Sequence, residues 1–257
     1  MIKFEKITFV VDSNIYRDVK KNMRLYIIRH ADPDYENNTI TKAGHLEAQA
    51  LAERFIKHGF DKIFTSPMGR AIDTMKYTTE ALNMGFEIAD WTKELWPEMV
   101  IENDEGQKMM SIDIPGELLR AEQRNLDQDT WFEYKNIKES EVLESYKKLE
   151  QDSDAFIRKL GYERVDGRYR IIKPSQDKVA VFCHAGFGLT WIAHLLAIPP
   201  TLIWSGFWVA PSSVTTILFE ERSSEWAVPR CISLGDISHL YSTGIKESTM
   251  GIKANYY

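Results

Sequence analysis

Two arginines, two histidines and one glutamate stand at the same kind of place in this chain, close behind a run that reads as a β-strand. In "LYIIRHADPDYE" (residues 25–36) four apolar or aromatic residues lead straight into Arg29 and His30. Arg70 falls in "FTSPMGRAIDT", Glu94 in "TKELWPEM" and His184 in "VFCHAGFG". Ending a buried strand on a guanidinium and an imidazole is costly unless a partner meets them. Ligands of open α/β sheets bind beyond the carboxyl ends of the strands, so these five side chains are expected to converge. The set suits phosphoryl transfer. A phosphomonoester carries about −1.5 to −2 charges near neutral pH. Arginine offers it planar, paired donors and keeps its own proton. A neutral imidazole attacks phosphorus and holds the group covalently. A protonated carboxyl delivers a proton to the departing alkoxide.

The elements that must position these groups read as an alternation of strand and helix. "LYII" is a buried strand. "TKAGHLEAQALAERFIKHG" is a helix capped by Thr41, with Leu46, Ala50, Leu51 and Phe55 on its apolar face and Gly59 after its end. "DKIFTS" is a second strand. "SPMGRAIDTMKYTTEAL" starts a helix with Ser66 as N-cap and Pro67 at the first helical position, a start that adds positive potential for an anion. "FEIAD" is a third strand. This order argues for an α/β sheet with helices on both faces.

Residues 97–175 break the pattern. They are charged and studded with Trp and Tyr, with a helix from about 140 to 160 and a hairpin at Asp166-Gly167. They read as a cap insertion, from which Trp131, Phe132, Tyr134, Arg158 and Arg168 are candidates to reach over a pocket. "KVAVFC" then reads as a strand of the sheet interior, "GLTWIAHLLAI" as a helix stopped by Pro199-Pro200, and "SVTTILFEE" and "AVPRCIS" as late strands. Residues 1–22 read as an N-terminal extension and 23–257 as a single domain. His45, His58, His194 and His239 are expected to be structural or surface residues, Asp236 a turn residue, and at least two of Trp204, Phe207 and Trp208 core residues.

The motifs "LYIIRHAD…TKAG…Q", "FTSPMGRAIDT" and "VFCHAGFG" together resemble the histidine phosphatase, or phosphoglycerate-mutase-like, superfamily over residues 23 to about 234. The resemblance implies a three-layer α/β/α sandwich with a mixed, mostly parallel sheet and a helical cap insertion. It implies His30 as the nucleophile that becomes phosphohistidine. Arg29, Arg70 and His184 would bind the phosphoryl oxygens, with the backbone at Ala185 beside them. Glu94, rather than Glu98, would be general acid and then base, and no metal or cofactor would be needed. The sequence departs from the family pattern at two places, where Ala31 and Ala185 replace the glycine that usually follows each histidine; both are small enough for backbone to approach phosphate.

Composition bounds the rest. The 257 residues are 44% hydrophobic and 27% charged, a globular balance. A net charge of −6 gives no basic excess for nucleic acid or an anionic membrane. Two cysteines without CxxC spacing favour a reducing, cytoplasmic setting. Counting from Cys183 finds Leu189 where a Cys-x5-Arg phosphatase needs arginine, and no G-x-S-x-G elbow is present. The expected activity is a phosphatase acting on a small phosphorylated metabolite. A phosphoglycerate-type mutase and a non-catalytic phospholigand-binding protein remain as alternatives. The mutase is disfavoured because "LWPEM" follows Glu94 where family mutases carry E-R-x-Y-G. Oligomeric state is not legible.

Overall fold

The computed structural model describes residues 22–252, so the expected N-terminal extension lies, but for Asn22, outside the described residues. Strand β1 (Arg24–Arg29) sends alternate residues to two cores: Leu25 and Ile27 to one, Tyr26 and Ile28 to the other. That is the period of a strand covered on both faces. A ribbon of β2 (Pro33–Asp34) and β3 (Thr39–Ile40) leads to α1 (Lys42–Ile56), capped as expected by Thr41, whose hydroxyl accepts the Gly44 N–H at 3.1 Å. Leu51 and Phe55 face inward, but Leu46, expected beside them, is 56% exposed. β4 (Lys62–Thr65), α2 (Gly69–Leu82) and β5 (Glu87–Ile88) repeat the step. Met68, not Ser66, occupies the N-cap of α2, and Pro67 stays outside it. The Ser66 hydroxyl instead folds the turn by accepting the Met68 N–H and faces His184.

A hairpin of β6 (Val100–Glu102) and β7 (Lys108–Met110) follows, then the short helices α3 (Gly116–Leu119) and α4 (Lys135–Lys138). From α5 (Val142–Lys159) onward the stretch expected as a cap builds the sandwich itself. α5 fills one core, and β8 (Tyr162–Val165) with β9 (Arg168–Ile171) extends the sheet. β10 (Lys178–Cys183), α6 (Ala185–Leu196), α7 (Pro200–Gly206), β11 (Val214–Glu221), β12 (Trp226–Asp236) and α8 (Ser238–Thr243) complete the chain.

The eight-stranded sheet has the order β5-β4-β10-β1-β11-β12-β9-β8. It is mixed: β5, β4, β10 and β1 pair in parallel, and the remaining pairs are antiparallel. One face packs on α5 and α6 through Phe156, Phe187 and Trp191, the other on α1 and α2 through Leu51, Phe55 and Met75. This is the three-layer α/β/α arrangement. A third core gathers residues 99–146 against α6 and α7. There Trp131 meets Tyr146 and Trp204 edge-on at 5.1 and 5.7 Å. No helix among the described residues is long and apolar enough to cross a membrane.

One ion cluster, a buried histidine between two half-buried carboxylates, fastens α5 to α6. His194 is 2% exposed, with Nδ1 3.1 Å from Glu150 and Nε2 2.8 Å from Asp154. A neutral imidazole has one N–H, so only the imidazolium donates to both carboxylates. Burial opposes its charge, yet the bonds to Asp154 and Glu150 outweigh burial and raise its pKa above the ordinary value. Its stabilising effect is therefore complete below the unfolded histidine value of about 6.5 and is lost as pH rises through the folded one. His194→Gln is expected to cost about 2 kcal/mol at pH 5.5, a cost that shrinks as pH rises past the unfolded histidine value. Urea unfolding at several pH values measures this, and a loss that does not change with pH contradicts the imidazolium.

Candidate active site

Three neighbouring parallel strands end in register. Arg29 of β1 pairs with Cys183 of β10, and Phe182 pairs with Thr65 of β4. One residue further, the His30 N–H donates to the Cys183 carbonyl at 2.9 Å and the Ser66 N–H to the Phe182 carbonyl at 2.8 Å. His30, His184 and Ser66 thus form a row, although they are far apart in sequence. The imidazoles of His30 and His184 lie 5.2 Å apart, centre to centre. Both are 1% exposed, and Arg29 and Arg70 are 3% and 6% exposed.

The hydrogen bonds fix the state of His30. Its Nδ1 lies 2.8 Å from the Ala31 carbonyl, which only accepts. In the neutral ring Nδ1 therefore carries the proton, and Nε2 presents the lone pair. Burial, then the Arg29 and Arg70 charges, hold the His30 pKa well below its ordinary value, while the Ala31 carbonyl works the other way. His184 is likewise lowered by burial, then by His30, Arg70 and Arg29. Its Nε2 meets the Ser66 hydroxyl at 2.8 Å.

The two guanidinium groups are tethered without being saturated. Arg29 donates to the carbonyls of Val209 at 2.6 Å and Met250 at 3.0 Å. Arg70 donates to Asn38 at 3.3 Å and lies 5.3 Å from the Tyr35 ring. Arg29 Nε, Arg70 Nε and His184 Nδ1 are buried without a protein partner. Unpaired buried donors are costly, and an anion among them is the natural remedy. Close backbone approach holds the surrounding loop: a Cβ on Gly69 would lie 2.2 Å from the Asn38 carbonyl.

Glu94 reaches the site from a different direction. It follows a single 3-10 turn, Asp90–Thr92, after β5, and docks its carboxylate on the start of α6. Oε1 accepts from Leu95 at 3.0 Å and Phe187 at 2.8 Å, and Oε2 from Gly186 at 3.2 Å. Helix N-terminal N–H groups favour an anion there. The approach requires glycine at 186, where a Cβ would stand 2.7 Å from Glu94 Oε1. Glu98 is exposed and points elsewhere; its carbonyl accepts from Ser145 on α5.

A cavity of about 880 Å³ opens beside these groups, lined among others by Arg29, Arg70, Glu94 and Ala185. His30 and His184 lie just behind it, buried. The Ala31 N–H donates to Thr74 at 2.9 Å, tying the loop after His30 to α2. Of the cap residues expected over the pocket, none of the five lines it. Trp131, Phe132 and Tyr134 belong to the third core, Arg158 pairs with Glu163, and Arg168 lies over Trp226. Trp96, Met110, Ile112 and residues 248–252 form the walls instead. No local pattern singles these out, because they arrive from a hairpin and from the far end of the chain. Tyr35, 6.4 Å from His30 and edge-on to it, had one sequence signal, its place in "RHADPDYE".

Behind the loop after His30 sits Glu47, 1% exposed. Its Oε2 accepts the Asp32 N–H at 2.9 Å. The Asp32 carboxylate accepts from Thr41 at 2.7 Å and also from Ser248, so this loop also anchors the terminal segment. Burial pushes the Glu47 pKa up to about 7; the Asp32 N–H, Ser212 and Arg29 pull it down, and the Asp32 charge adds to the rise.

Residues 25–230 match the family model of the histidine phosphatase superfamily (branch 1). No curated protein sequence matches the chain significantly. Among solved structures, a phosphoserine phosphatase of Entamoeba histolytica is similar at 18% identity over 85% of this chain and 99% of that one. The TM-score is 0.55 for its phosphoserine complex and 0.56 for its 3-phosphoglyceric acid complex. A mycobacterial glucosyl-3-phosphoglycerate phosphatase gives 0.52 at 17% identity, over 82% and 98% of the two chains. Bacillus stearothermophilus YhfR gives 0.54 at 16%, over 85% and 99%. At such identities the likeness is one of fold.

Glu47 binds its proton more tightly folded than unfolded. Its share of stability is complete below its ordinary value of 4.5 and is lost as pH rises through about 7. Glu47→Gln, which keeps the oxygen and never ionises, is expected to be more stable than the parent at pH 8 by on the order of 3 kcal/mol, with the difference vanishing near pH 4. Denaturant unfolding across this range tests it, and an equal gain at pH 4 contradicts the titration.

Proposed function

The chain belongs to the histidine phosphatase superfamily, branch 1, and we propose that it is a metal-independent phosphomonoester hydrolase working through a phosphohistidine on His30. The observation that carries the reading is the state of His30. Its proton is held on Nδ1 by the Ala31 carbonyl, which leaves the lone pair on Nε2, and Arg29, Arg70 and His184 each keep one buried nitrogen without a partner among the described residues. Nε2 attacks phosphorus, an N–P bond forms, and the P–O bond to the alcohol breaks. Arg29, Arg70 and His184 hold the phosphoryl oxygens, whose charge grows and is best met by fixed donors.

Glu94 supplies the proton that the departing alkoxide takes. A carboxylate has about four lone-pair sites. The N–H groups of Leu95 and Phe187 occupy two on Oε1, and Gly186 occupies one on Oε2. The remaining site on Oε2 is open to take up the proton when a dianionic phosphate is bound beside it, because a neighbouring like charge favours the protonated form. In the second step water attacks phosphorus, Glu94 recovers a proton from it, and the N–P bond breaks. Two guanidinium groups beside His30 repel a divalent cation, which supports a route without one.

Hydrolysis of p-nitrophenyl phosphate is expected to persist in EDTA and to fall more than about a thousandfold in His30→Ala. Glu94→Gln is expected to lose about a hundredfold or more in kcat. Radiolabelled phosphate from a 32P ester is expected in the acid-labile, base-stable fraction of quenched enzyme. Activity abolished by EDTA, or a His30→Ala variant as fast as its parent, contradicts the proposal.

A further inference from the structure

The site binds phosphate with two arginines, but the walls of its cavity ask for something else from the rest of the substrate. We infer that the alcohol half is apolar and bears no second anionic group, so that the substrates are phosphate monoesters of hydrophobic alcohols. The inference rests on the phosphomonoesterase reading and deepens it.

The first ground is size and surface. A cavity of about 880 Å³ is far larger than a phosphoryl group needs and falls in the range of pockets that enclose a whole small ligand. Beyond Arg29 and Arg70 its walls include the large apolar side chains of Met68, Trp96, Met110, Ile112 and Met250, with Tyr35, Ser248 and Thr249 adding hydroxyls. Trp96 is 57% exposed and Met250 40%. Large apolar side chains gathered round a cavity and left open mark a ligand surface more often than chance. Methionine adapts to irregular apolar shapes.

The second ground is continuity. A neighbouring cleft of about 430 Å³ shares Ile112, Ala185 and Ile252 with the first and runs on to Trp204, Phe207 and Trp208. Of these three aromatics, expected chiefly in the core, Trp204 is buried and Phe207 is 45% exposed. The apolar track therefore leads away from the phosphate end across the face of α6 and α7.

The third ground is charge. Among the described residues lining the two clefts, Arg29 and Arg70 are the only cations, and both stand at the phosphoryl end. The other charged lining groups are Glu94 and Asp113. A carboxylate or second phosphate on the alcohol half would meet no cation among the described lining residues, at a cost in desolvation. Phosphoserine and 3-phosphoglycerate both carry such a carboxylate.

n-Alkyl phosphates test this because the leaving alcohol keeps nearly the same acidity while its apolar surface grows. From butyl to octyl phosphate, kcat/KM is expected to rise about three- to fourfold per methylene until the cleft is full, and to exceed the values for phosphoserine and 3-phosphoglycerate. Trp96→Ala, at a position 57% exposed, is expected to flatten the dependence on chain length. Ile112→Arg is expected to lower kcat/KM for octyl phosphate and raise it for 3-phosphoglycerate. A flat alkyl series, or a preference for 3-phosphoglycerate, overturns the inference and leaves the hydrolase reading standing. If no ester, p-nitrophenyl phosphate included, turns over, the hydrolase reading falls. Calorimetric binding then decides the inference: tighter binding of octyl than of butyl phosphate upholds it, and equal binding overturns it.

Discussion

Positive charge kept out of water at the carboxyl ends of β1, β4 and β10 is the constraint on which the rest of this structure depends. Arg29 and Arg70 are buried beside two imidazoles, and both depress the protonation of His30 and His184. Such a cluster does not hold itself together. The parallel ladders fix Arg29, His30 and His184 in one row, and α2 places Arg70 opposite. Carbonyls of Val209 and Met250 and the Asn38 side chain absorb part of the guanidinium hydrogen-bonding demand. Glu94, pinned on α6, supplies opposite charge that both arginines feel. What is left over, a few unpaired donors around one lone pair, is what an anion would complete.

The molecule divides its labour by element type. Arg29, His30, Arg70 and His184 sit at the ends of regular strands or in the first turn of a long helix, where backbone hydrogen bonds leave little freedom. The cavity walls come from irregular chain: the loop at Trp96, the hairpin side at Met110 and Ile112, and residues 248–252. Loops tolerate change in shape and polarity without disturbing the sheet. The same row at the strand ends is thus compatible with many wall compositions.

Much of the row was legible because its signals are local. An apolar run ending in Arg29-His30 and another ending in His184 mark strand ends by period and composition alone, and Thr41 marks a helix start. The errors lie where a distant partner overrides a local preference. Ser66 looks like an N-cap, but the turn before α2 and the nearby His184 claim its hydroxyl. Leu46 fits the helical stripe, but no element packs over it. Trp131 and Tyr134 look like pocket residues because they are aromatic amid charge, yet they fill a core that forms only when α6 and α7 arrive. Residues 248–252 carry no chemistry in their side-chain types; their place against Arg29 and Asp32 is wholly tertiary.

The order of the strands also governs how the molecule comes into being. β10 lies between β1 and β4, yet everything from α2 to β9 precedes it along the chain. A chain growing from its N-terminus has both flanking strands early, each with an open edge, and no central strand to join them. The helices α1 and α2 are able to pack on each other in that interval, but the sheet is not. Long-range parallel pairing of this kind is slow to form and leaves apolar edges exposed until it does. β10 thus joins β1 to β4 long after both have been synthesised, and the two histidines meet only when it does.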